Sequence, residues 1–302
     1  MSSEAYDLYY EDRDEVDVFS FPFGGEEAFV IHDGALTMPL QPFFAPEATK
    51  KQVEALLEQN YLPLDHVTYS VNVLVLKSKS GATLFDAGAG AAFGPTAGKL
   101  VRGLARIGIV PADVKTIFIT HAHPDHVCGL VDDSLVPIFP SAKIIAAKTE
   151  IDFWTGDNPD LSGVRVEPEK RDRSLATIKK TLAAVKAGLE LKSPGKVSPQ
   201  VELLLAPGHT PGQSLFKVSR GDETLLVLGD AVHLFALQFP HPEWTMAYDI
   251  YPSQGVKTRR KLFKDAVADR ITLLGAHMPF PGIGHVRKAE QGYLWVQRPW
   301  VL

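Results

Sequence analysis

A single cysteine, Cys128, among 302 residues rules out an intrachain disulfide, so nothing in the chain calls for an oxidising compartment. Positive charge is not in excess either. The 31 Lys and Arg stand against 36 Asp and Glu, a net of −5, and both signs are spread along the chain. That balance offers no electrostatic pull toward nucleic acid or an anionic membrane surface, and neither is expected as a partner. No apolar run approaches the roughly 20 residues that cross a bilayer. The first residues, MSSEAYDLYYEDRDEVDVF, lack a basic start followed by an apolar run. They do not read as a secretory signal, and a cytoplasmic location is the expectation. Internal repeats and low-complexity linkers are also missing.

What is present is an ordinary globular composition, 45% apolar and 22% charged. Residues 1–20 read as an acidic, partly disordered arm and 21–302 as one domain. AFVIH after Glu27 is strand-like, with a turn at Asp33-Gly34. Residues 46–60 have the spacing of an amphipathic helix, with Val53, Leu56 and Leu57 on its buried side. VTYSVNVLVL and ATLF follow as strands around a Gly81 turn, and the second ends at Asp86. A helix is predicted over 96–107, stopped by Gly108. KTIFIT at 115–120, KIIAA at 143–147, VELLLA at 201–206 and ITLLG at 271–275 are strands. LFKVS and TLLVLG form a hairpin around Gly221-Asp222. Two further helices are predicted, over 174–187 with Ser174 as its cap and from a Ser253 cap to Ala268. Strands alternating with helices indicate a layered α/β domain, and the chain has the look of two similar halves.

The strongest chemical signal is Thr120-His121-Ala122-His123-Pro124-Asp125-His126. Three imidazoles and a carboxylate lie within six residues, directly behind a buried strand. Neutral imidazole and carboxylate oxygen are good zinc ligands. Alternate residues at a strand end aim His121 and His123 the same way, while Asp125 and His126 fall on the following turn. The cluster is too large for one tetrahedral ion and suggests a pair. His209 in APGHTPG, Asp230 in LGD and His277 in GAH each follow an apolar run. Side chains in such places converge at one edge of an α/β sheet. Two divalent ions per chain are therefore expected, zinc being the metal that suits this donor set.

In this order the residues H-x-H-x-D-H, His, Asp and His resemble the metallo-β-lactamase superfamily. The segments FDAGAGAAFGPTAGKL, ITHAHPDHVCGL, APGHTPGQS, LGDAVHLFALQF and GAHMPFPGIGHV are similar, more narrowly, to methyl parathion hydrolases and their lactonase and arylesterase relatives. The resemblance runs from about Glu27 to the C-terminus. It implies a four-layer αβ/βα sandwich with the metals at one edge. One ion would take His121, His123 and His209, and the other Asp125, His126 and His277. Asp230 would bridge them, with a shared hydroxide attacking a carbonyl carbon or a phosphorus. Asp86 matches the acidic residue that orients a ligand histidine from behind. Relatives also commonly form homodimers, so a homodimer is expected.

His233, three residues after Asp230, stands where related lactonases often carry a tyrosine that polarises the substrate carbonyl. Asp125, Asp230 and His233 are thus the candidate catalytic residues. By the same resemblance Phe93 and Trp154 line the substrate pocket, and Tyr248 is added from the aromatic residues near the motifs. Cys128, in an apolar run, reads as a small core residue. His285 is either structural or a support for the site. The expected substrate is small, neutral and hydrophobic, because burying an unpaired charge is costly. Lactones and aryl esters are expected ahead of phosphotriesters. A nuclease of this fold would want basic patches. A thioesterase of the glyoxalase II type would want a basic C-terminal site, and TRRKLFK at 258–264 reads instead as a solvated helix face. A sensor that only binds metal is the non-enzymatic alternative.

Overall fold

The structure is a computed structural model and describes residues 16–299. Of the acidic arm expected over 1–20, residues 1–15 lie outside the described part. Val18–Ser20 belong to a strand, so the folded domain starts earlier than the charge pattern indicates. Among the described residues the two halves of the chain each build one seven-stranded sheet. The first comprises β1 (Val18–Phe23), β2 (Glu26–Pro39), β3 (His66–Ser78), β4 (Gly81–Phe85), β5 (Val114–Ile119), β6 (Lys143–Ala147) and β7 (Leu189–Lys192), side by side in that order. The second comprises β8 (Gly195–Lys196), β9 (Val201–Leu205), β10 (Ser214–Arg220), β11 (Glu223–Val227), β12 (Thr272–Leu274), β13 (Ile283–Lys288) and β14 (Tyr293–Gln297), also in chain order.

β1 to β4 pair antiparallel, while β4 to β7 are parallel. β11 and β12 are also parallel. Parallel neighbours need long crossovers, and helices supply them. The predicted Gly221-Asp222 hairpin is present, with Arg220 paired to Glu223. The turn expected at Asp33-Gly34 is instead a register shift inside the 14-residue β2. The Asp33 carboxylate turns inward there and accepts hydrogen bonds from the Ala89, Gly98 and Leu100 amides.

The sheets face each other across an apolar core. Phe85 and Phe118 from the first sheet and Phe216 from the second form a triangle with ring centroids 5.1–5.7 Å apart. All three are almost fully buried, which for a phenyl group is worth about 1.5–3 kcal/mol each. Outside the first sheet pack Leu100 and Leu104 of the helix Leu100–Arg106 and Ile178 and Leu182 of the helix Pro168–Ala184. Outside the second sheet pack Leu262, Phe263 and Ala266 of the helix Pro252–Asp269. The order is helix, sheet, sheet, helix, the four-layer α/β arrangement expected. Cys128 is buried, as anticipated, and burial pushes its thiol up to about 11.

Helix boundaries differ from the expectation in one way that matters. The helix predicted over 174–187 begins at Pro168, so Ser174 is interior and not a cap. Proline is pre-organised for the first helical position, and the polar turn Glu169–Arg173 conceals the apolar periodicity. The last long helix likewise starts at Pro252 and not behind a Ser253 cap. The short helix over 50–59 does carry a full cap: Thr49 accepts from the Gln52 amide, and the Gln52 side chain accepts from the Thr49 amide. No helix among the described residues is long and apolar enough to cross a membrane.

Candidate metal centre

β4, β5, β9, β11 and β12 all deliver their following loops to one edge of the molecule, and the loops carry Asp86, the His121–His126 cluster, His209, Asp230 and His277. Pro124 starts a single helical turn, Pro124–Val127, that lifts Asp125 and His126 beside the two preceding histidines. Gly208, at φ 146°, brings the His209 loop against Gly255 of the last helix, where a Cβ would collide with that glycine's backbone.

Two groups of ligand atoms result. His121, His123, His209 and Asp230 form one, and Asp125, His126, Asp230 and His277 the other, with all atoms of a group within 4.8 Å of one another. Asp230 belongs to both. Its Oδ2 lies 3.6 Å from His121 Nε2 and 3.3 Å from His209 Nε2, and its Oδ1 lies 3.1 Å from both His126 Nε2 and His277 Nε2. Asp125 Oδ2 lies 3.4 Å from His277 Nε2 and 3.6 Å from His126 Nε2.

The protein itself dictates which ring nitrogens face this centre. His126 Nδ1 donates to Asp86 Oδ2, His209 Nδ1 to Asp249 Oδ1 and His277 Nδ1 to the Ser70 carbonyl, each at 2.8 Å. Thr120 Oγ1 gives its proton to Asp86, so at 3.1 Å it accepts from His121 Nδ1. In neutral form all four rings therefore turn an Nε2 lone pair inward. His123 adds its Nδ1, 2.8 Å from His209 Nε2 and 3.2 Å from His121 Nε2. The four Nε2 lone pairs cannot satisfy one another, and a proton on His123 Nδ1 reaches only His209 and His121. His126 Nε2 and Asp230 Oδ1 are buried with no hydrogen-bond partner, an unfavourable state that a cation relieves. The donor set fits a pair of divalent ions.

Without metal the electrostatics are divided. Burial holds the His121 and His123 imidazoles well below their ordinary range. Burial also opposes protonation of His209, but hydrogen bonds to Asp230 and Asp249 outweigh it and hold that ring up to about 9. His126 and His277 are raised against burial in the same way, chiefly by Asp230. Five imidazoles around it keep the Asp230 carboxyl far below the usual carboxylate range despite its burial.

Asp86 sits where the sequence placed it. Its two oxygens accept from the Thr120 amide at 2.7 Å, the Thr120 hydroxyl at 2.8 Å and His126. Its backbone lies at φ 65°, a strained region that aspartate tolerates better than most residues. His233 is buried, and its Nε2 is 2.9 Å from Asp230 Oδ2. Its Nδ1 is buried without a partner, and burial holds the ring down to about 4. A neutral ring gives its Nε2 proton to Asp230, so the carbonyl-donor role expected of His233 has no proton left in this geometry.

A cavity of about 320 Å³ opens onto the centre, lined by His123, Asp125, His209, Asp230, His233 and His277 at its base. Leu36, Met38, Tyr69, Phe93, Met246 and Tyr248 form apolar walls, and Lys170, Arg173, Ser174 and Thr177 a polar one. Phe93 and Tyr248, expected from the sequence to be pocket residues, are among those that line this cavity. Trp154 is not: its indole donates to Glu150 and its ring packs against His123 at 5.4 Å, so it lies behind the metal ligands and outside the cavity. His285, on β13, hydrogen-bonds the Ile271 carbonyl and is not part of the centre.

Three supporting residues escaped the sequence reading. Glu150, fully buried, accepts from the Ala122 amide, Trp154, the Thr210 hydroxyl and the Gly212 amide, and so ties the His121–His123 loop to the His209 loop. Asp249 orients His209 and also accepts from the Met246 amide. Arg259 lies within the basic stretch read as a solvated face, yet it is 2% exposed. Its guanidinium donates to the carbonyls of Ala231, Pro242 and Trp244, clamping the loop that follows Asp230.

Residues 67–277 match the metallo-beta-lactamase superfamily, and the chain belongs to it. It is a metal-dependent hydrolase with two metal-binding sites. Among solved structures it is similar to AidC, a dizinc quorum-quenching lactonase solved with its product, at a TM-score of 0.92 and 28% identity over 96% of this chain and 100% of that one. It is also similar to the hydrolase AbOPH of the beta lactamase superfamily, at 0.86 and 29% over 96% and 100%. A probable metal-dependent hydrolase from Staphylococcus aureus shares the fold, at 0.75 and 18% over 93% and 100%. No curated protein matches the chain by sequence.

Two outcomes are expected. Asp86→Ala frees the His126 ring and should weaken metal binding about 10–100-fold. A chelator-competition titration checks this, and wild-type affinity in the variant contradicts it. The second concerns pH. His209 near 9 in the metal-free protein, against an ordinary 6.5, adds stability that is fully present below 6.5 and lost as pH rises through 9. Metal needs the neutral ring, so its affinity changes oppositely. Between pH 6.5 and 9 the melting temperature of metal-free protein should fall while metal affinity rises, both measurable by thermal unfolding and competition titration.

Proposed function

We propose that the chain hydrolyses lactones and aryl esters, with zinc as its metal, and phosphotriesters less well. The observation that carries this reading is the cavity that ends on both ligand groups between mainly apolar walls. An uncharged acyl compound can shed its water there at little cost. The similarity to a dizinc lactonase over nearly the whole of both chains supports the same substrate class. The methyl parathion hydrolase group, which the FGPT and PFPGIGH segments resemble, keeps phosphotriesters as the second substrate class.

His121, His123, Asp125, His126, His209, Asp230 and His277 would hold two ions, whose chemistry would be Lewis acidity and a lowered pKa of water at the site. The protein's own residues do the rest. Asp86, Asp249, Ser70 and Thr120 fix the ligand rings in one tautomer and one orientation. His233 hydrogen-bonds Asp230 and, with it, forms the cavity base. Phe93, Tyr248, Leu36 and Met246 exclude water around the acyl group, while Lys170 and Arg173 leave one wall able to face a polar substituent.

The test is kcat/KM of zinc-loaded protein for an N-acyl lactone, an aryl ester and a neutral phosphotriester. The expected order puts the lactone or ester at least about tenfold above the phosphotriester, a gap of about 1.4 kcal/mol in transition-state binding. A clear preference for the phosphotriester, or no turnover of any of the three, overturns the reading.

A further inference from the structure

His233 gives its proton to Asp230, which leaves the substrate's carbonyl oxygen without the side-chain donor expected for it. The cavity wall offers another. Tyr69 lies on β3, 8% exposed, with its ring edge-on to His277 at 4.7 Å and 81° and edge-on to Phe44 at 6.0 Å and 73°. His277 Nε2 is itself 3.4 Å from Asp125 Oδ2 and 3.1 Å from Asp230 Oδ1, so the Tyr69 ring borders the second ligand group directly. Tyr248, the other tyrosine of the cavity, stacks on Phe43 at 5.8 Å instead.

The Tyr69 hydroxyl donates to Met38 Sδ at 3.1 Å. A thioether sulfur is a weak acceptor. A phenol in a cavity lined by the ligand residues is thus held on a partner that any carbonyl oxygen outcompetes. Met38 also lines the cavity, and its unbranched side chain can shift without disturbing the sheet. Packing on two sides fixes the ring, so the hydroxyl changes acceptor by a small rotation of its hydrogen and not by a movement of the residue.

We propose that Tyr69 is a catalytic residue of this site, its hydroxyl leaving Met38 to donate a hydrogen bond to the acyl carbonyl oxygen of the substrate. The bond strengthens as that oxygen becomes negative during attack, and the phenol keeps its proton throughout. The inference rests on the hydrolase reading above. It assigns to a residue of the first sheet a task that the sequence pattern placed on His233.

Tyr69→Phe keeps the ring and removes only the hydroxyl. The experiment measures kcat and KM of the zinc-loaded variant on the lactone, ester and phosphotriester, together with metal content and melting temperature. Loss of one oxyanion donor costs about 10²–10³ in well-studied acyl-transfer sites, and with two cations sharing the task a loss of roughly 10–100-fold is expected here, mainly in kcat. Metal content and melting temperature should stay at wild-type values. Unchanged kcat/KM on every substrate that the wild type turns over contradicts the proposal. So does activity lost only in proportion to lost metal, or a larger kcat loss in Tyr248→Phe. A wild type that prefers the phosphotriester refutes the substrate reading alone, since the ratio of variant to wild type on that substrate still decides the role of Tyr69.

Discussion

Asp230 is a carboxylate with five imidazoles around it, and almost none of it is reached by solvent. An ion in such a place is stable only if positive charge or hydrogen-bond donors surround it. Four of the five rings are prevented from serving as ordinary neutral donors, because each spends its other nitrogen on Asp86, Asp249, Thr120 or the Ser70 carbonyl. The centre therefore holds either protons or metal ions, and the protein is arranged for the second. His233 is the exception, a donor to Asp230 whose remaining nitrogen meets nothing. Its place beside the shared carboxylate makes it part of the support for the ligands.

Rigidity of this edge comes from buried charges that join loops distant in sequence. Glu150 links the loops of His121 and His209 through four donors, and Arg259 fixes the chain from Ala231 to Trp244 through three carbonyls. Such groups are costly to bury unless every donor and acceptor is matched, and here nearly all are. The result is a preformed ligand set on loops, where sites are usually least exact. The apolar core between the sheets fixes the ends of the strands, and these buried ions fix the loops beyond them.

The seven ligands and Asp86 were legible because each directly follows an apolar strand, and the short spacing of His121 to His126 is itself a chemical pattern. The layered fold was legible from the alternation of strand and helix periods. Glu150, Asp249, Arg259 and Tyr69 were not. Their meaning lies in partners brought close only by folding, such as Thr210 for Glu150 and Ser70 behind His277, and their neighbours in sequence carry no motif. Trp154 and Arg259 were misread for the same reason: an aromatic near the ligands looked like pocket wall, and a basic run looked like surface. The polar cavity wall was hidden because Pro168 starts its helix two turns before the apolar periodicity becomes visible.

The central claim is that the two ligand groups sharing Asp230 hold two ions at once. Elemental analysis of the wild-type protein, loaded with zinc and then dialysed exhaustively, tests it most directly. The expected content is about two zinc ions per chain, falling in Asp230→Ala. One ion or none in the wild type, with the protein folded and active, contradicts it.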